Sequence, residues 1–178
     1  MIDLETMGVS SRAPILAIGA VEFDRDTCEV GEKFYQRINW ESAFTARKVD
    51  ASTVHWWMKQ GKTNPDAVSE ILKKKGSVNM KHGLEKFSEF IDGRAFCVWG
   101  NGATFDITIL ETVYEQYKLP TPWEFWNVRD CRTVQDIAED FGLGKEDLDR
   151  SGQHHNALDD AIYQAEYISY FLNGMKGL

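Results

Sequence analysis

The 178 residues fall within the usual size of one domain, and 43% hydrophobic content is enough to build a substantial core. A formal charge of -8 and a pI near 5.0 exclude a protein that grips nucleic acid through a broad basic surface, because such affinity comes from Lys and Arg neutralising phosphates. They do not exclude clustered carboxylates that bind cations, since the bound ions reverse the local sign where a phosphate approaches.

In chain order, the first forty residues read as three strands, Ile2 to Glu5, Ile15 to Phe23 and Glu32 to Asn39, with short turns between them. Such a run predicts an antiparallel meander. Helix signals follow: Ser52 as a cap for Thr53 to Gln60, then Asn64-Pro65 opening a segment that reaches Lys74, then Lys81 to Ile91. Strand and helix then alternate, with a buried strand at Ala95 to Trp99, a helix from Phe105 to Tyr117, a strand at Phe125 to Val128, and helices at Arg132 to Phe141 and Asn156 to Leu172. This order describes an α/β fold, a mixed sheet flanked by helices, in one domain over residues 1–178. Gly142 to Gly152 is a polar loop ahead of the last helix, a place where a connection can carry function.

Cys28, Cys97 and Cys131 have no C-x-x-C spacing, so neither a disulfide framework nor a zinc site is expected, and a reducing cytoplasm is the expected location. The best apolar stretch, Ala13 to Val21, is too short to span a bilayer, and no membrane partner is expected.

Asp3 and Glu5 project from the same face of the first strand, about 6 to 7 Å apart along it, and repel each other unless a cation lies between them. The alternative is a solvated strand face. Asp106 follows an apolar strand and the Gly100-Asn101-Gly102 turn, which places a carboxylate at a strand's carboxyl end, although helix N-terminal chemistry would explain it equally. The run His154-His155-Asn156-Ala157-Leu158-Asp159-Asp160 is denser in polar groups than capping requires. Zinc held by His154, His155 and one of the aspartates is one reading. An oxygen-rich carboxylate set instead favours a hard cation such as Mg²⁺ or Mn²⁺.

In this order, Ile2-Asp3-Leu4-Glu5-Thr6-Met7-Gly8, then Trp99 to Asp106, then His155-Asn156-Ala157-Leu158-Asp159-Asp160 resemble the DEDDh branch of the DnaQ-like 3'→5' exonucleases. The likeness spans nearly the whole chain. Within that branch the chain is similar to the group containing phage exodeoxyribonuclease A and the ribonuclease AS-like exoribonucleases, which share Thr-Met-Gly and a Val-x-Trp-Trp segment, here Val54-His55-Trp56-Trp57. A phage or prophage-like setting goes with that group.

The resemblance implies a ribonuclease H-like fold, with Asp3, Glu5, Asp106 and Asp160 holding two Mg²⁺ ions, for which Mn²⁺ can substitute, and His155 as general base. It selects His155 with Asp160, whereas helix spacing alone would pair His155 with Asp159. It also implies substrate contacts at Met7, Gly8, Trp57 and Asn101, a 3' end of single-stranded RNA or DNA as partner, nucleoside 5'-monophosphate products, and room for a homodimer.

Of Trp56 and Trp57, at most one can face the core of a short helix. Arg47-Lys48, Lys73 to Lys75, Arg129 and Arg132 are candidate phosphate contacts, with a solvated face as the alternative for the lysine run. Two other functions fit the same pattern: a binding module that kept the fold and lost the chemistry, and a phosphodiesterase acting on small nucleotides. Because only Met1 and Ile2 precede Asp3, the first strand is expected to be short and prone to fray without metal.

Overall fold

Period-two alternation along the first strand sorts its side chains between two helical layers. In the computed structural model, which describes residues 1–93 and 97–177, β1 (Ile2–Thr6) turns Ile2 and Leu4 towards one layer and Met1 towards the other. Strands β2 (Ile15–Phe23) and β3 (Val30–Arg37) complete the predicted antiparallel meander, and β4 (Val98–Gly100) and β5 (Val128–Asp130) add parallel strands on the other side. The sheet order is β3-β2-β1-β4-β5. Thus β1 is the central strand, and its carboxylates stand at the middle of the sheet.

The helices are α1 (Trp40–Ala43), α2 (Ala51–Thr63), α3 (Pro65–Leu72), α4 (Met80–Ile91), α5 (Asp106–Gln116), α6 (Cys131–Asp140) and α7 (Ala157–Lys176). One face of the sheet packs Ile2, Leu4 and Ile18 with Leu84 and Phe87 of α4 and Ile107 and Leu110 of α5. On the other face Met1, Val21 and Trp99 meet Ala138 of α6 and Ala161, Ile168 and Phe171 of α7. Every residue of β2 from Ile15 to Val21 is buried, as a strand covered on both faces requires. Met7, Leu16 and Trp57 pack with Ala67 and Ile71, which fastens α2 and α3 to the end of β1.

Several expectations are corrected. α2 begins at Ala51 with Asp50 in the cap position, so Ser52 lies inside the first turn; the Asp50 carboxylate instead accepts from the Val9 amide at 2.8 Å. Phe125 to Asn127 form a 3₁₀ turn closed by Asn127 N–H to the Glu124 carbonyl at 2.8 Å, and the fifth strand starts only at Val128. The apolar character of Phe125 and Trp126 suggests a buried strand, but both rings face solvent. Part of the strand expected at 95–99 lies outside the described residues; Val98 and Trp99 are in β4. The start of β1 is tied into the sheet: the Val21 amide donates to the Met1 carbonyl at 2.9 Å, and Ile2 is paired on both sides.

Candidate active site

Asp3 and Glu5 lie on the α7 side of β1, paired across the ladder with Gly19 and Ala17 of β2. A Cβ built on Gly19 would come within 2.1 Å of the Ala157 carbonyl carbon. Only a residue without a side chain lets the first turn of α7 descend this far onto the sheet. That descent brings Asp160 over β1, and oxygens of Asp3, Glu5 and Asp160 lie within 4.8 Å of one another. The ladder register shifts immediately after Glu5, an irregularity of the kind that re-aims a strand end.

Asp106 stands outside this tight group, buried in the first turn of α5, yet its charge is felt by both Asp3 and Glu5. The Leu4 and Asn101 main-chain amides donate to its carboxylate. Burial pushes Asp106 up to about 7, against these hydrogen bonds and the nearby Arg132 guanidinium. Glu5 is pushed up to about 8, first by burial and then by Asp160 and Asp106. Asp3 is held well above the usual carboxylate range by burial and then by its three acidic neighbours. One contact opposes this: Gln164 Nε2 donates to Asp3 Oδ1 at 2.7 Å.

His155 occupies the left-handed backbone region, φ 62°, at the turn into α7. Its amide donates to Asp160 Oδ2 at 3.2 Å, and its ring meets Trp56 edge-on with centroids 4.8 Å apart. Burial lowers its pKa below the usual imidazole value, with the Asp160 charge opposing. His154 is exposed, and Asp159 accepts from the Gln153 amide at 2.8 Å, so the adjacent histidine and aspartate face away from the cluster or brace the loop. Asn156 caps α7 by accepting from the Leu158 and Asp159 amides.

The residues expected to touch substrate are buried or half-buried. Met7 and Trp57 are 6% and 5% exposed, Gly8 is buried, and the Trp57 indole N–H donates to the Thr6 carbonyl at 2.9 Å. Trp57 is therefore a brace for the end of β1, because a buried indole needs an acceptor and Thr6 supplies it. The exposed ring beside His155 is Trp56, at 38%. Asn101 is half-buried and reaches the site through its main chain.

Three contributors escape sequence reasoning. Gln164 stands one turn beyond Asp160, and that i, i+4 spacing on an otherwise apolar face is its readable signal. Trp56 differs from Trp57 only in helix phase. Arg150, which pairs with Asp160 from the preceding loop, leaves no signal at all.

The donor set fits divalent cations. It is made of oxygens alone, and Glu5 Oε1 is buried with no hydrogen-bond partner among the described residues.

Comparison with known proteins gives a consistent result. The family model described as the 3'-5' exoribonuclease Rv2179c-like domain matches residues 1–172. An exodeoxyribonuclease of Enterobacteria phage T4 is 28% identical, the match covering 75% of this chain and 68% of that protein. Among solved structures, the nuclease domain of 3'hExo, a DEDDh family member bound to rAMP, superposes with TM-score 0.63 at 13% identity over 96% of this chain and 89% of that one. A 3'-exonuclease solved for 3'-end recognition of a histone mRNA stem-loop superposes with TM-score 0.52 at 14% identity, covering 96% and 79%. At these identities the structural matches show a shared fold.

Proposed function

The chain belongs to the Rv2179c-like 3'-5' exoribonuclease domain family and is a 3'→5' exonuclease of the DEDDh type, and from that premise we propose that it uses two divalent cations, Mg²⁺ or Mn²⁺, to release nucleoside 5'-monophosphates from single-stranded RNA or DNA. The observation that carries this reading is the Asp3, Glu5 and Asp160 cluster, in which the oxygen of a buried glutamate has no partner among the described residues. Three carboxylates brought this close out of water are costly unless positive charge arrives.

In this proposal Asp3, Glu5, Asp106 and Asp160 hold the ions, and the ions when bound stabilise charge on the attacking and leaving oxygens. Gln164 fixes the orientation of Asp3 through its 2.7 Å hydrogen bond. The imidazole of His155, kept neutral at pH 7 by burial, accepts the proton of the attacking water at a ring nitrogen. Trp56, exposed beside that ring, offers a face on which a terminal base stacks. All of these residues lie on one domain. No described helix is long and apolar enough to cross a membrane, and a cytoplasmic setting is part of the proposal.

The test is digestion of matched RNA and DNA oligonucleotides, labelled at the 3' or the 5' end, in Mg²⁺, Mn²⁺ or chelator. Mononucleotides should appear from the 3' end, in metal only. Release that persists in chelator, or that starts from the 5' end, would remove the two-ion scheme or the polarity. Comparison of RNA with DNA decides which sugar is preferred, a choice that rests on contacts to the 2'-OH.

A further inference from the structure

Arg150 lies in the polar loop ahead of α7, outside the carboxylate cluster, yet its guanidinium Nη2 is ion-paired with Asp160 Oδ1. The side chains of Arg150 and Asp160 are 20% and 16% exposed, so the pair is largely withdrawn from water. The guanidinium lies over the Tyr163 ring, 4.8 Å from its centroid. Asp160 and Tyr163 are three residues apart on α7, so the opening turns of this helix form a seat with a carboxylate at one side and an aromatic face beneath.

The seat leaves the guanidinium incompletely bonded in two respects. Arg150 Nε is buried with no acceptor among the described residues, and a single nitrogen is bonded to Asp160 where an arginine fork can make two contacts. Meanwhile the second oxygen of Asp160 accepts from the His155 amide. Both oxygens are thus engaged, one of them by a cationic side chain. Each oxygen keeps a further lone pair, but a guanidinium fixed on Asp160 competes with a divalent cation for that carboxylate and repels the incoming charge.

We propose that Arg150 is an exchangeable counter-ion, which neutralises Asp160 while the cluster lacks metal and gives it up as a divalent cation binds. The inference rests on the metal-site reading above. Arg150 is then a positioning residue that sets metal affinity.

Calorimetric titration of Mn²⁺ into the metal-stripped full chain tests this without recourse to activity. Arg150→Gln removes the competitor and should bind Mn²⁺ about tenfold more tightly than the parent, the factor that corresponds to about 1.4 kcal/mol. The same variant should melt at a lower temperature in chelator, because Asp160 has lost its neutralising partner. Arg150→Lys keeps the charge without the planar fit to Tyr163, and its affinity should lie between the two. Lys176→Gln, at the far end of α7, removes the same unit of charge and should leave the affinity unchanged.

Unchanged or weaker binding by Arg150→Gln would overturn the exchange and leave Arg150 as a simple support for Asp160. If Arg150→Gln does not fold, binding by Arg150→Lys no tighter than that of the parent overturns the exchange in its place. A folded parent that binds no Mn²⁺ overturns the metal site itself, an outcome distinct from the other two.

Discussion

A carboxylate in water is ionised well below neutrality, but Glu5 is pushed up to about 8 and Asp106 to about 7, with burial the largest cause in each. Removing charge from such a cluster should therefore cost activity and not stability. Asp106→Asn is expected to abolish exonuclease turnover while its melting temperature in chelator stays level or rises, measured side by side on one preparation. His155 differs in kind, because it lies at the edge of the cluster and its burial lowers its pKa. His155→Ala should lower the rate about 10²- to 10⁴-fold, the range for loss of a general base, with Mn²⁺ affinity retained and partial rescue at higher pH. In the parent the His155 step should lie below pH 6.5, with the rate falling as pH drops through it. A silent His155→Ala beside an inactive His154→Ala would reverse the assignment.

At the scale of elements, the site depends on how closely α7 approaches β2. Gly19 is where that closeness is set: an added methyl group would meet the Ala157 carbonyl at 2.1 to 2.3 Å, which is main chain and has no rotamer to yield. Gly19→Ala should destabilise by about 1–3 kcal/mol, as overpacking does, and should lower turnover by lifting Asp160 from Asp3 and Glu5. Denaturant unfolding gives the first quantity and a single-turnover assay the second. Turnover equal to the parent would show that Asp160 is not held in place by this contact. Most element positions are readable from capping and periodicity, including Pro65 at the start of α3 and the opening of α7 after Asn156. The short α1 is not, since it is four residues capped by Asn39 in a stretch without helical periodicity.

For the whole molecule, the same raised carboxylates make folding depend on pH when metal is absent. A group whose folded pKa lies above its unfolded value contributes stability that is fully present below the unfolded pKa and is lost as pH rises through the folded one. For Glu5 that window runs from the ordinary value of 4.5 to about 8, and for Asp106 from 3.8 to about 7. In chelator the melting temperature should therefore fall between pH 5 and pH 8. Excess Mn²⁺ should raise it, most at the upper end of that range, because ions that bind the folded state alone stabilise it by mass action. Scanning calorimetry at several pH values with and without metal checks both. A melting temperature independent of pH in chelator would show that these carboxylates are less tightly clustered than the geometry has them.

The sequence by itself determined the local chemistry. Alternation along β1 put Asp3 and Glu5 on one face, an apolar strand and turn led to Asp106, and the ordered motifs carried the resemblance to the exonuclease family that the match over residues 1–172 bears out. These follow from the regular geometry of strand and helix, which short-range spacing encodes. Only the tertiary structure decided the packing around these residues. Trp56 and not Trp57 stays in solvent, and Gln164 and Arg150 join Asp3 and Asp160, while Asp160, already selected over Asp159 by the family resemblance, enters the cluster. The reason is physical: which side of a helix faces a sheet, and how near it comes, are set by packing across many residues of separation, here by the space that Gly19 leaves open.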